Sequence, residues 1–446
     1  MTTKLTRRNA LVLMAIGACL PRLARAEPLS KGEGPTSLWS QIGGPEFAAL
    51  LAVTLSGAPS IEQAKLRQRA AVFAASGQRA ALFPQVRAEL NASEDRPWNR
   101  DDPDRPSRST NSATTSVSWA LDLWGKARDE LRAARLEADA QAIEIDGARV
   151  ALALQLAQAL ANRTRAAIGL ESARTALSRQ HEIAERIRAR QRAGLATLAD
   201  AAEAEAALRS SEVALTEAQR NDRQATSALA ATLAIDPLIL RPEPIHFGLN
   251  EDVAPLREEV TFESLSGRPD LRALEIRLSA AGVRVSLAQR ALYPDLSISH
   301  SITGSSSQFD SLLAPRHLAT QLAASLAMNV LDGGRRRAQR HIAALELESL
   351  ATAQRGLLLT AADEVMRAWI NLQTIQTQIP QRLAALEARR RTLTLARAQH
   401  SAGTLSTLEL LRAEALLQDE EAEVRALPAD RFQASASLLA AMGVVP

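Results

Sequence analysis

Hydrophobic positions recur every seven residues along two long stretches of this chain. In the first, Leu131, Ala138, Ile145, Leu152, Ala159, Ala166 and Ala173 share one register, with no proline between Trp124 and Pro237. In the second, Ala351, Leu358, Val365, Leu372, Ile379, Leu386 and Leu393 repeat the period. Such a repeat held over about six heptads predicts long helices with coiled-coil-like packing. At about 1.5 Å per residue, a helix from Lys126 to Arg192 is on the order of 100 Å long.

The two stretches are copies. Gly125 and Gly334, Gly194 and Gly403, and Pro84 and Pro294 keep one spacing to within a residue, which marks a duplicated unit. Each copy reads as short helix, Phe-Pro or Tyr-Pro, strand, loop, strand, glycine, long helix, Ala-Gly turn and return helix. The first copy covers 38–235 and the second 260–446; the proline- and acid-rich 236–259 is a connector expected outside the helical wall. Short helices are expected over 60–82 and 268–292, and return helices over 195–232 and 404–441. Each long helix then pairs with two shorter ones stacked end to end. Gly169 and Pro380 weaken the long helices at similar repeat positions, and a bend is expected at each.

Between helices the period becomes two. Val86, Ala88, Leu90 and Ala92 alternate with Arg87, Glu89, Asn91 and Ser93. Val117, Trp119, Leu121 and Leu123 alternate with Ser116, Ser118, Ala120 and Asp122. In the second copy Leu296, Ile298 and Ile302 alternate with Ser297, Ser299, Ser301 and Thr303. Leu318, Leu322, Leu326, Met328 and Val330 alternate with Ala319, Ala323, Ser325, Ala327 and Asn329. The polar, proline-rich 94–112 reads as a loop. Strands with one apolar and one small or polar face fit a soluble half-buried sheet or a membrane barrel, and a length of about 9 to 11 residues suits the barrel. Four strands cannot close a barrel, and lipid does not tolerate an open edge. Identical copies must supply the rest; an interior wide enough for solutes favours twelve strands from three copies over eight from two.

The start of the chain adds a destination. Lys4, Arg7 and Arg8 precede an apolar run, 10–20, too short to span a bilayer. Two processing sites compete. Ile16-Gly17-Ala18-Cys19 resembles a lipobox, which removes 1–18 and leaves Cys19 lipidated; Ala24-Arg25-Ala26 resembles a soluble signal-peptidase site, which removes 1–26. Thr6-Arg7-Arg8 also resembles a twin-arginine signal. Every route takes the chain out of the cytoplasm.

Composition mainly excludes. Cys19 is the only cysteine, so neither a disulfide framework nor a cysteine-based zinc site is available. The net charge is +3 over 446 residues, so the pI of about 9.5 is no argument for nucleic acid. Aromatic residues are 3%, too few for base-stacking platforms. His181, His246, His300, His317, His341 and His400 show no metal-ligand spacing, and there is no Gly-x-Ser-x-Gly or phosphate loop. Neither an enzyme nor a cofactor is expected. Dense Arg and Asp/Glu on Ala-rich helices read as a salt-bridged surface.

Four segments carry a family resemblance: Gly-Arg-Pro-Asp-Leu-Arg-Ala-Leu-Glu (267–275), Leu-Tyr-Pro-Asp-Leu-Ser (292–297), Val-Leu-Asp-Gly-Gly-Arg-Arg-Arg (330–337) and Arg-Ala-Gly-Leu (192–195). With the duplicated architecture, over about 38–445, they resemble the outer-membrane efflux proteins of the TolC family, nearest the NodT-type, often lipid-anchored branch. The resemblance implies an α+β membrane protein. Three identical chains, four strands each, would form a 12-stranded transmembrane β-barrel continuous with a 12-helix coiled-coil periplasmic tunnel. It implies an exit duct that passes small molecules from an inner-membrane pump of RND or similar type, through a periplasmic adaptor, across the outer membrane. Alternatives are a type I protein-secretion duct and a structural periplasmic coiled-coil protein without a pore. Two departures stand out: the Pro-Tyr-rich opening usual after the lipidated cysteine is missing, and Met328-Asn329 replace the usual proline before the glycine pair.

Site expectations follow. Glycine supplies the positive φ of a helix-ending turn; by resemblance Gly194, Leu195, Gly403 and Thr404 are tips that dock the adaptor. Asp200, Glu203, Glu409 and Arg412 follow those tips, and acidic residues ring the tunnel entrance in relatives. A mixed-charge gate is expected, held by Glu409–Arg412 contacts within or between chains. Arg335, Arg336 and Arg337 open a helix, where each cation costs roughly 0.3 to 1 kcal/mol. They are expected to be compensated by phosphates of the membrane's inner leaflet.

Overall fold

The computed structural model describes residues 38–95, 108–235 and 265–446. Cys19, the leader and the connector 236–259 lie outside these described residues. From Leu38 onward the chain forms one compact unit. Its helices are α1 (Leu38–Gly57), α2 (Pro59–Ala80), α3 (Lys126–Arg192), α4 (Leu198–Thr232), α5 (Pro269–Arg290), α6 (Arg335–Ser401) and α7 (Thr407–Ala441). Its strands are β1 (Gln85–Asp95), β2 (Arg108–Leu121), β3 (Asp295–Ser306) and β4 (Leu318–Ala327).

Both long helices contain 67 residues and follow a glycine in the left-handed region, Gly125 at φ 79° and Gly334 at φ 88°. Neither is interrupted at Gly169 or Pro380. The heptad residues face inward: Leu131, Ala138, Leu152, Ala159, Val365, Leu372, Leu386 and Leu393 are buried. α3 packs on α2 and α4, and α6 on α5 and α7, so each long helix does lie against two shorter ones. α3 also packs on α5 and α7, which joins the two copies.

Helix α1 has no counterpart in the sequence reading. Gly43-Gly44-Pro45 looks like a loop, and the helix is indeed kinked there, at Gly44 with φ 73°. What holds it is burial. Trp39 is fully buried and its indole N–H donates to the Val444 carbonyl at 2.8 Å. Phe47 meets Phe432 edge-on with ring centroids 5.0 Å apart. These side chains close a core with Leu156, Leu160 and Leu439.

The strands make one antiparallel sheet in the order β1-β2-β3-β4. Its register sorts the alternation into faces. Val86, Val117, His300 and Leu322 lie in one cross-strand row, and Leu121, Leu296 and Leu326 in another. On the opposite face Arg87, Ser116, Ser301 and Gln321 form a row, as do Glu89, Thr114, Thr303 and Ala319. β1 and β2 run further than expected, into 94–112, where Ser93, Glu94 and Asp95 pair with Thr110, Ser109 and Arg108. β4 stops at Ala327, so Met328 and Val330 lie beyond the sheet.

Candidate functional site: channel wall, junctions and hairpin tips

The apolar face of the sheet is bare. Val86 is 70% exposed, Leu90 67%, Leu322 74% and Leu326 66%. A largely apolar face of this kind, in which His300 meets Thr320 at 3.0 Å, is out of place in water and suits hydrocarbon. The other face carries hydroxyls and small side chains, with Thr114 and Thr303 linked at 3.1 Å. β1 and β4 are edges with unpaired backbone groups.

Each strand-to-helix junction is capped by an aspartate that sequence reasoning missed. Asp122 accepts the backbone N–H of Ala127 and of Arg128, both at 3.1 Å, and the Arg128 Nε at 2.9 Å. Asp332 accepts the N–H of Gly334 at 3.0 Å and of Arg336 at 3.2 Å. Partial burial pushes both carboxyls up, but the donors outweigh it and hold each below the usual aspartate value. The signal was present: the two aspartates stand at the repeat spacing, just ahead of the junction glycines. The compensation expected from lipid for Arg336 is therefore internal, since its Nε lies 3.7 Å from Asp332. Arg335 and Arg337 stay exposed.

The first junction has additional ties. The Trp124 ring stacks on Tyr293 at 5.1 Å, and its indole N–H donates to the Pro294 carbonyl at 2.7 Å. Arg290 donates to the Trp124 carbonyl at 2.5 Å and pairs with Asp129 at 2.9 Å. The Arg-Pro-Asp segment is also structural. Arg268, buried, reaches Asp270 and Glu364 at 2.8 Å and donates to the Ala441 carbonyl at 2.6 Å, closing the last turn of α7.

At the far ends of the long helices the two tips share the same pair of backbone bonds. Leu195 N–H donates to the Arg190 carbonyl at 2.8 Å and Gly194 N–H to Gln191 at 3.0 Å. Thr404 N–H donates to Gln399 at 2.9 Å and Gly403 N–H to His400 at 3.0 Å. Both are Schellman turns closed by glycines at φ 73° and 76°. The return helices start three residues later than expected because Thr197 and Ser406 act as N-caps. Thr197 Oγ1 accepts from Asp200 N–H at 3.1 Å while the Asp200 carboxylate accepts from Thr197 N–H at 2.8 Å. Ser406 and Glu409 reproduce this at 3.2 and 3.1 Å.

These boxes change the reading of the expected gate. Glu409 is committed to Ser406, and no ion pair with Arg412 forms within the chain; Arg412 only adds to the lowering that the Ser406 bonds impose on the Glu409 carboxyl. Asp200, Glu203 and Arg412 do come together. They line a cleft of about 600 Å³ between α3, α4 and α7, with Arg179, Arg190 and Asp419. Burial pushes the Arg179 guanidinium down, against the attraction of Asp419 and Glu414. Gly194, Leu195, Gly403 and Thr404 are exposed, Leu195 by 69%.

Among the described residues no helix is long and apolar enough to cross a membrane. Two long helices joined through glycine junctions to a four-stranded sheet with one lipid-suited face are the architecture to be placed. A family model for outer membrane efflux proteins matches residues 50–234 and 262–444, one repeat each. The chain belongs to that family. It is the outer-membrane channel component of an efflux system, with its sheet in the outer membrane and a large helical part in the periplasm.

Its relatives include the pyoverdine export outer membrane protein OpmQ of Pseudomonas putida, 26% identical over 91% of this chain and 87% of that protein. Nodulation protein T of Rhizobium leguminosarum is 24% identical over 71% of this chain and 61% of that protein. The crystal structure of the outer membrane protein VceC from Vibrio cholerae superposes with a TM-score of 0.76 at 23% identity, covering 92% of this chain and 99% of that one.

Proposed function

We propose that three copies of this chain close a 12-stranded barrel and a tunnel that carries small molecules outward. The open four-stranded sheet carries this reading: its apolar face suits lipid, while its unpaired edges β1 and β4 are not tolerated there without a partner. A second apolar surface points the same way. On α6, Ile342, Leu345, Leu359, Met366 and Ile370 are all at least half exposed and repeat at heptad spacing in a register other than that of the buried Val365 and Leu372, a seam for a neighbouring copy.

The tips are the natural place for a periplasmic adaptor, which would link this duct to an inner-membrane pump of RND or similar type. The cleft holding Asp200, Glu203 and Arg412 is where a resting gate would form, with Glu409 acting through the α7 cap. Arg335 and Arg337, exposed just past the second junction, would meet phosphates of the inner leaflet. The cargo is a small molecule chosen upstream: one relative is named for pyoverdine export and another for nodulation, at nearly equal identity.

Gly194→Asp and Gly403→Asp test the docking role. Both variants are expected to keep folded trimers and to lose export and adaptor cross-linking. Unimpaired cross-linking in both would remove the tips from the interface. For the gate, Arg412→Ala is expected to raise the resting conductance in planar bilayers; an unchanged closed state places the gate elsewhere.

A further inference from the structure

The loop between β3 and β4 is built rather than frayed, and it lies on the lipid-suited face. Gly304 belongs to the same face as Ile302 and Leu318. A Cβ at Gly304 would overlap the Leu312 carbonyl oxygen, so the glycine makes room for the loop to sit down on the outer side of the sheet. Leu312 is buried beneath it. Ser306 Oγ lies 2.6 Å from Ser311 Oγ and accepts from the Gln308 N–H at 3.1 Å. His317 N–H donates to the Ala314 carbonyl at 2.8 Å.

This ordered loop presents an unusual surface. Phe309 is 67% exposed and Leu313 74%, continuous with the bare apolar residues Ile302, Leu318 and Leu322. Beside them stands exposed Arg316, whose Nε donates to the His317 ring at 3.0 Å. Among the described residues no carboxylate pairs with Arg316. The four helices next to strands in the chain, α2, α3, α5 and α6, all meet the sheet at its other end, so this loop is at the external rim of the membrane. Large apolar side chains next to an exposed guanidinium with no carboxylate partner among the described residues, at the edge of a hydrocarbon band, match a lipid with a phosphorylated headgroup.

We propose that the β3–β4 loop is a docking surface for the phosphorylated glycolipid of the outer leaflet: Phe309 and Leu313 enter its acyl boundary and Arg316 binds a headgroup phosphate. Outer-leaflet lipid would then hold the rim of the barrel from outside, at the opposite end from Arg335 and Arg337.

The test is lipid A retention by the full-length protein purified in detergent, read by native mass spectrometry. Phosphatidylcholine vesicles with and without lipid A provide a second readout. One cation at an anionic surface is worth about a fivefold change in binding, so Arg316→Gln is expected to retain about fivefold less lipid A, and Arg316→Lys to retain most of it. Phe309→Ser with Leu313→Ser is expected to lower thermal stability in lipid A vesicles and to leave the protein unchanged in detergent. Inorganic phosphate at matched ionic strength is not expected to displace the lipid. Equal retention by wild type and Arg316→Gln would overturn the proposal. So would displacement by inorganic phosphate, which indicates a free-anion site. Equal destabilisation of the serine double variant in detergent and vesicles would also overturn it, since the apolar pair would then be packing against protein. Heat-modifiable migration and conductance confirm that each variant is folded.

Discussion

Helices α3 and α6 have the same length, the same leading glycine and the same closing turn, yet they occupy different surroundings. α3 is walled in by α2, α4, α5 and α7, and Leu156 and Ala157 at its middle have no exposed surface. Among the described elements α6 packs chiefly on α5 and α7, and Leu359 is 74% and Leu395 65% exposed. Duplication copied the helix and its ends but not its neighbours. In the trimer proposed above, the first copy would supply the interior of one protomer's wall and the second the edge that meets the next protomer.

The largest effects should separate these two roles. Leu156→Ala leaves a cavity in the core shared with Trp39, Phe47 and Phe432. It is expected to cost about 2 to 5 kcal/mol and to lower the protomer's thermal midpoint even in detergent monomers. Leu359→Glu with Ile370→Glu should leave that midpoint within error and abolish trimers on native gels. If the α6 variant unfolded the protomer as well, α6 would be core and not edge.

The junctions offer a smaller contrast. Both leading glycines have positive φ, so alanine at either costs about 1 to 2 kcal/mol. At Gly125 the new methyl also collides with Arg290 and breaks its bond to the Trp124 carbonyl, while at Gly334 it meets nothing. Gly125→Ala should therefore be the more destabilising by thermal melting, and Arg290→Ala should erase most of the difference. Asp122→Ala should cost about 1 kcal/mol, the usual value of a lost cap. Asp332→Ala should cost less, because Asp332 accepts fewer donors and its arginine sits further away.

Much of this was legible from the chain. Seven-residue periodicity places both long helices, and the alternation Val86-Ala88-Leu90 or Leu296-Ile298 places the sheet and its lipid-suited face. The missed parts depended on long-range contacts or on side-chain to backbone bonds. Helix α1 breaks local rules at Gly43-Gly44-Pro45 and exists because Trp39 reaches Val444 from the other end of the chain. The capping roles of Asp122 and Asp332 need the turn geometry that brings a carboxylate back onto the helix it precedes. Glu409 was read as a gate charge because its spacing from Gly403 matches that of Asp200 from Gly194. The same match follows from both standing three residues after the N-cap of a capping box, a bond pattern legible in Thr197-x-x-Asp200 and Ser406-x-x-Glu409 once the helix start is set correctly.

The smallest effect distinguishes the tips themselves. Bonds from Thr197, backbone first, lower the Asp200 carboxyl from its ordinary 3.8, with help from Arg190. Bonds from Ser406 lower the Glu409 carboxyl from 4.5, with help from Arg412. A folded-state value below the unfolded one means stability that is present above the ordinary carboxylate pKa. That stability is lost as pH falls through it toward the folded value. Both return helices should therefore loosen at their first turn below about pH 4 and be indifferent between pH 6 and 8. Spin labels at positions 195 and 404, in a Cys19→Ser background, should gain mobility over that acid range. Asp200→Asn and Glu409→Gln should each flatten the response of their own tip alone. Arg412→Ala should move the onset at position 404 to higher pH and leave position 195 as it was. A shift at both tips would show that the cleft around Arg412 couples the two hairpins, and the two ends of the duplicated unit would then act as one gate.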